Sequence, residues 1–203
     1  QREYQKALDT LKEIETVFGM TESIAMYRFN LLRMLDKQEE AFKSLEEYNK
    51  EYSSPYVLST LADYQMSMYN DSTALAYYDE ALDLAPDYAP ALLGKAETLR
   101  LTRKYEEYFD ILDRYVSGMD SPAAAKSDYL MAVVQRTDPK FINSFRPQLD
   151  SVIDKAVGLH PKDSLMLQTA AVYYYSTDRK DLAKKHFKAN VEAWPESFAS
   201  AAN

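Results

Sequence analysis

The residues able to carry acid–base or metal chemistry in this chain are few and scattered. Its two histidines, His160 and His186, stand far apart, one just before Pro161 and the other beside Lys185 on what reads as an exposed helical stripe. A lone imidazole with no second ligand nearby does not hold a metal. Adjacent acids occur as Glu39 with Glu40, Glu46 with Glu47 and Glu106 with Glu107, early in or along helices, where helix polarity and solubility account for them. Cysteine is absent, which removes disulfides, thiolate metal sites and cysteine nucleophiles at once. The patterns GxSxG, HExxH, GxxxxGK and GxGxxG are missing as well, and each absence removes a reaction class. The expectation is a protein that is not an enzyme, with no cofactor and no metal site.

The 17 tyrosines could supply sugar-stacking rings. Runs such as Tyr77, Tyr78 and Tyr173, Tyr174, Tyr175 fall at helical positions where packing calls for aromatics, which favours a core role. Trp194, the only tryptophan, sits at a helix end.

These side chains are positioned by helices. A chain of 203 residues with 46% hydrophobic and 28% charged residues can bury a good core, and 4 Gly and 8 Pro are too few for the turns of an all-β fold. The balance of 24 basic to 32 acidic residues leaves a net charge of -8, which repels a phosphate backbone, so no nucleic-acid partner is expected. The densest basic stretch, Lys184, Lys185 and Lys188, reads as a solvated helix face. No apolar run reaches the ~18 residues of a membrane span and no basic-then-apolar leader opens the chain. No membrane insertion is expected, while cytoplasmic and envelope compartments both stay open.

Internal repetition organises the chain. Residues 55–86 read as two amphipathic helices, with Leu58, Leu61, Ala62 and Gln65 on one stripe and Ala74, Tyr78 and Ala81 on the next. The residues opening successive second helices are Ala7, Ala41, Ala74, Tyr108, Leu149 and Ala183, at gaps of 34, 33, 34, 41 and 34. A period of ~34 residues marks a helix-turn-helix repeat. Ser54 before Pro55 and Ser121 before Pro122 predict capped helix starts, and Pro86, Pro161 and Pro195 lie just past helix ends. The excess of 7 in the long gap falls between helices expected over 123–135 and 147–158. Its residues 136–146 carry two Phe and an Ile, which predicts a packed loop or extra helical turn.

On these residues the chain resembles the tetratricopeptide repeat family. The unit opening at Pro55 supplies the family's Leu58, Ala62, Ala74, Tyr78, Ala81 and Pro86, and the last unit supplies Leu167, Ala171, Tyr174, Ala183, Phe187 and Pro195. Departures are Phe29 where a small residue is usual, and Tyr108 and Tyr115 where Ala is usual. The resemblance implies an all-α, right-handed α-α superhelix in one solenoid domain. A lone helix over 1–19 is followed by repeats over 21–54, 55–87, 88–120, 121–162 and 163–196, with a further helix starting at 197–203. The ends read as a second helix without its first and a first helix without its second, which predicts a longer array and ends open to self-association. Tyr4, Ala7, Leu8, Leu11 and Ile14 form a stripe awaiting a preceding helix, and Phe198 would open a following one.

In the family the free stripe of each first helix lines a concave groove that holds a peptide or protein partner. Here that stripe comprises Met26, Asn30 and Arg33, then Ser59, Asp63 and Met66, then Leu93, Glu97 and Arg100, then Gln168, Val172 and Tyr175. An ordinary solvated face is the alternative for any one of them. The repeat with the long gap offers either Leu130 or Ala132 at its small-residue site, so its stripe stays unassigned. Family members that grip a terminal carboxylate use Lys, Asn and Arg where this chain has Met26, Asn30, Thr60, Pro90 and Gly94, so only the Asn survives. The expected function is a non-catalytic protein-interaction scaffold. A regulatory or sensory module of a larger signalling protein and a glycan-binding surface protein are the alternatives.

Overall fold

A computed structural model describes residues 2–195. Among them are twelve helices and no strand: α1 Arg2–Phe18, α2 Glu22–Met34, α3 Gln38–Tyr52, α4 Pro55–Ser67, α5 Asp71–Leu84, α6 Ala89–Leu101, α7 Tyr105–Ser117, α8 Ala123–Arg136, α9 Pro139–Ser144, α10 Arg146–Leu159, α11 Ser164–Ser176 and α12 Lys180–Ala193. They form two compact units, Gln1–Tyr108 and Phe109–Asn203. The expectations for Phe198 and for a helix at 197–203 lie outside the described residues.

In the first unit, α2 packs on α3, α4 on α5, and α4 on α6. Alanines make this possible, because Ala41, Ala62, Ala74, Ala81 and Ala91 are fully buried and let helix axes approach closely. Leu45 and Tyr78 fill what the alanines leave. Of the stripe on α1, Leu8 and Leu11 are buried while Tyr4 and Ile14 are exposed.

Ser54 caps α4 as expected, its hydroxyl accepting from the Val57 amide at 3.4 Å with Pro55 in the first turn. The second expected cap is different: α8 starts at Ala123 after Pro122 and has no side-chain cap.

The turns joining first to second helices repeat in atomic detail. Asp36, Tyr69, Arg103 and Asp178 all have left-handed backbones, with φ of 63, 60, 61 and 60 degrees. The residue after each closes the turn: Lys37 N–H donates to Leu32, Asn70 to Gln65, Lys104 to Leu99 and Arg179 to Tyr174, at 2.9, 2.9, 2.9 and 2.8 Å. That bond satisfies a carbonyl the helix end would leave open. A left-handed conformation costs an L-residue about 1–2 kcal/mol, of which glycine returns up to ~1 kcal/mol as chain entropy. Tyr69→Gly is therefore expected to raise stability by about 0.5 kcal/mol, read as a higher urea midpoint with an unchanged slope. A lowered midpoint would show that the 90% exposed Tyr69 ring makes stabilising contacts.

In the second unit, α8, α10 and α12 each pack on α11. The long gap contains α9, whose Asp138 cap accepts from the Lys140 amide at 2.7 Å. Phe141 and Phe145 meet at a tilt at 4.8 Å, Phe141 stacks on Phe109 of α7 at 6.2 Å and Phe145 meets it at a tilt at 5.4 Å, while Ile142 is buried.

The structure corrects the reading of His186. It is 8% exposed and stacks on Tyr174 at 5.4 Å with ring planes 8° apart. The inward stripe of α12 is Ala183, His186 and Asn190, whereas Phe187 is exposed. Burial and the neighbouring Lys185 charge push the imidazole pKa down against the opposing pull of Asp154, which favours the neutral ring.

Candidate partner-binding site

The stripe residues of α2, α4 and α6 all lie in the first unit. Arg33 and Asp63 line one hollow of about 200 Å³ between α2 and α4, together with Phe29, Thr60, Tyr64 and Ser67. Arg33 also borders a second hollow of about 300 Å³ with Asn30, Met34 and Gln38. Its guanidinium stands 5.4 Å from the Phe29 ring centroid, an attraction that holds a cation over an aromatic face without neutralising it.

Asp63 is anchored from below, its carboxylate accepting from the Tyr78 hydroxyl at 2.5 Å. Burial pushes the Asp63 pKa up and this bond partly offsets the rise. Burial, and after it the same bond to Asp63, push the Tyr78 phenol far up, so it stays a neutral donor. Glu97 and Arg100 pair in bidentate fashion at 2.8 and 2.6 Å on α6. Met66 Sδ accepts from the Thr98 hydroxyl at 2.9 Å, tying α4 to α6.

Met26 and Ser59 are 7% and 4% exposed, so the accessible face is made by Asn30, Arg33, Asp63, Glu97 and Arg100, with Met66 and Leu93 half-buried among them. In the second unit, Gln168 is exposed on α11, Val172 is half-buried, and Tyr175 is 66% exposed. Its neighbours Tyr173 and Tyr174 are buried, as are Tyr48, Tyr78 and Tyr115, which leaves these rings unable to stack on a sugar.

Gly94 explains one missing element of the carboxylate grip. A Cβ there would lie 2.4 Å from the Tyr78 Cζ and hydroxyl oxygen, so that ring occupies the space a cationic side chain would need. Among the described residues no cluster of His, Asp and Glu could hold a metal, and no helix is long and apolar enough to cross a membrane.

The fold is that of the tetratricopeptide repeat proteins, an all-α superhelical repeat. The chain is similar to the C-terminal part of a repeat protein of this class from Cytophaga hutchinsonii, at 16% identity and a TM-score of 0.61 over 96% of this chain and 76% of that one. It is also similar to such a protein from Parabacteroides merdae, at 14% identity and a TM-score of 0.54 over 91% and 71% of the two chains. YrrB, described as a repeat protein with an unusual peptide-binding site, matches at 13% identity and a TM-score of 0.52 over 93% and 94%. No protein-family model and no curated protein matches the chain.

Proposed function

We propose that the chain holds an extended peptide or protein segment on the concave face formed by the first helices of its first unit. The observation that carries this is the placement of Arg33. Its guanidinium has an aromatic but, among the described residues, no carboxylate partner, borders two adjoining hollows, and shares one of them with Asp63 from the next repeat. A peptide lying across α2 and α4 would meet a cation, a carboxylate and the hydroxyls of Thr60 and Ser67 over an apolar floor. YrrB offers a precedent for peptide binding in this fold.

The test starts from peptides selected on the chain out of a random displayed library, followed by anisotropy titration of each labelled synthetic peptide. The triple variant Asn30→Ala, Arg33→Ala, Arg100→Ala is expected to bind at least about tenfold more weakly, as loss of central polar contacts does. Its melting midpoint should stay close to that of the parent, because Asn30 and Arg33 are exposed and the Arg100 pair with Glu97 is partly exposed and contributes little. Full binding by a folded triple variant would move the partner off this face.

A further inference from the structure

Each groove between second helices in the first unit has a counterpart one repeat away. Between α3 and α5 the groove is filled: Tyr77 meets Phe42 edge-on at 6.5 Å and donates its hydroxyl to Glu46 at 2.8 Å, while Phe42 stacks on Tyr64 at 4.9 Å. Stepping back by the offset from Ala74 to Ala41 puts Ser44 in the place of Tyr77. The offset from Ala41 to Ala7 puts Lys12 in the place of Glu46 and Leu8 in the place of Phe42. Between α1 and α3, then, the phenol is missing and the group that would receive it has reversed its charge.

The result is a cleft of about 380 Å³ over α2, which falls in the size range of small-ligand pockets. Leu8 and Leu32 are its buried apolar lining, and Lys12, Arg28 and Ser44 border it. Most of its polar groups are already engaged. Arg28 pairs with Glu15, Lys37 with Glu40 at 3.0 Å, and the Ser44 hydroxyl donates to the Ala41 carbonyl at 2.8 Å. The Lys12 ammonium has no such partner among the described residues, so the cleft carries one uncompensated positive charge beside a ring-sized apolar space.

We infer that this cleft binds an aryl carboxylate, its ring against Leu8 and Leu32 where the neighbouring groove holds Tyr77, and its carboxylate on Lys12. A charge-assisted bond to a carboxylate is the interaction Lys12 lacks, and burying the ring removes apolar surface from water. The free aryl acid and the C-terminal phenylalanine of another chain present the same chemistry.

The experiment is an NMR titration of the isotope-labelled chain with sodium phenylacetate, with acetyl-glycyl-phenylalanine and with neutral phenylacetamide. Saturable shifts confined to α1, α2 and α3 are expected with at least one carboxylate, and the tighter of the two names the source. Phenylacetamide should bind at least about tenfold more weakly, as should the carboxylate to Lys12→Glu, since a charged hydrogen bond is lost in both cases. Ser44→Tyr should abolish binding by filling the cleft. The double variant Ser44→Tyr, Lys12→Glu rebuilds the pair seen between α3 and α5 and should melt no lower than the parent while binding nothing. No saturable shift with either carboxylate, equal binding of the amide, or binding that persists in the folded double variant overturns the assignment.

Discussion

Gly94→Ala is expected to destabilise the chain by about 1–3 kcal/mol, although the same change in an ordinary helix interior stabilises. Alanine is favoured over glycine there by up to ~1 kcal/mol, so the sign is decided by crowding. The new Cβ would lie 2.4 Å from Tyr78 Cζ and 2.5 Å from Cε1, well inside van der Waals contact. The ring has no free direction to retreat in, being fully buried and held by its bond to Asp63 at 2.5 Å. Overpacking a filled core costs about 1–3 kcal/mol, and releasing the Tyr78 hydroxyl adds about 1 kcal/mol. In a Tyr78→Leu background the obstruction is gone, and Gly94→Ala should become neutral or stabilising. A double-mutant cycle of thermal melts reads this coupling directly. An increase in melting midpoint for the single variant would show that the ring moves freely and does not fix Asp63.

Gly94 also shows how far the repeat pattern carries. The gaps from Ala7 to Ala183 led to the helix order because one spacing recurs many times, and the turns with positive φ at Asp36, Tyr69, Arg103 and Asp178 recur with it. No glycine marks those turns, so their geometry could not be read from residue type. The candidate face was legible only in part. Helical spacing put Arg33 on the free stripe of α2 and Asp63 on that of α4, and both line one hollow. The same spacing included Met26 and Ser59, whose exposure is decided by how closely neighbouring helices approach. His186 lies three residues after buried Ala183 and so on the inward face, a position the charge of the adjacent Lys185 masks in the sequence. The cleft beside Lys12 does have a signal in the sequence, the exchange of Tyr77 and Glu46 for Ser44 and Lys12 between aligned repeats.

Asp150→Ala in the second unit is expected to cost about 2 kcal/mol at neutral pH, with a cost that shrinks in acid. The carboxylate of Asp150 on α10 accepts from Arg179 Nη1 and Nη2 at 2.6 and 2.7 Å and from the Tyr173 hydroxyl at 2.5 Å. Arg179 lies over both aromatic neighbours, 5.1 Å from the Tyr173 ring and 4.6 Å from the Tyr174 ring, so one carboxylate orients a guanidinium that staples α10 to α11. Hydrogen bonds to charged groups contribute about 1.5–3 kcal/mol, and partial exposure of the pair keeps the sum well below that of three buried bonds. Burial alone would raise the Asp150 pKa, but the bonds from Arg179 and Tyr173, with the charges of Arg179 and Arg146, outweigh it and hold the group below its ordinary 3.8. A carboxylate depressed in the folded state stabilises fully above its unfolded pKa and loses that contribution as pH falls through the folded value. The melting difference between parent and Asp150→Ala should therefore be constant from pH 7 down to about pH 5 and narrow below pH 4. Glu192→Ala in the same unit, whose 3.7 Å pair with Lys188 is exposed, should change stability by less than about 0.5 kcal/mol and serves as the control. An Asp150 variant that melts like the control at pH 7 would show that the stacking of Arg179 on the two tyrosines holds α10 to α11 without the carboxylate.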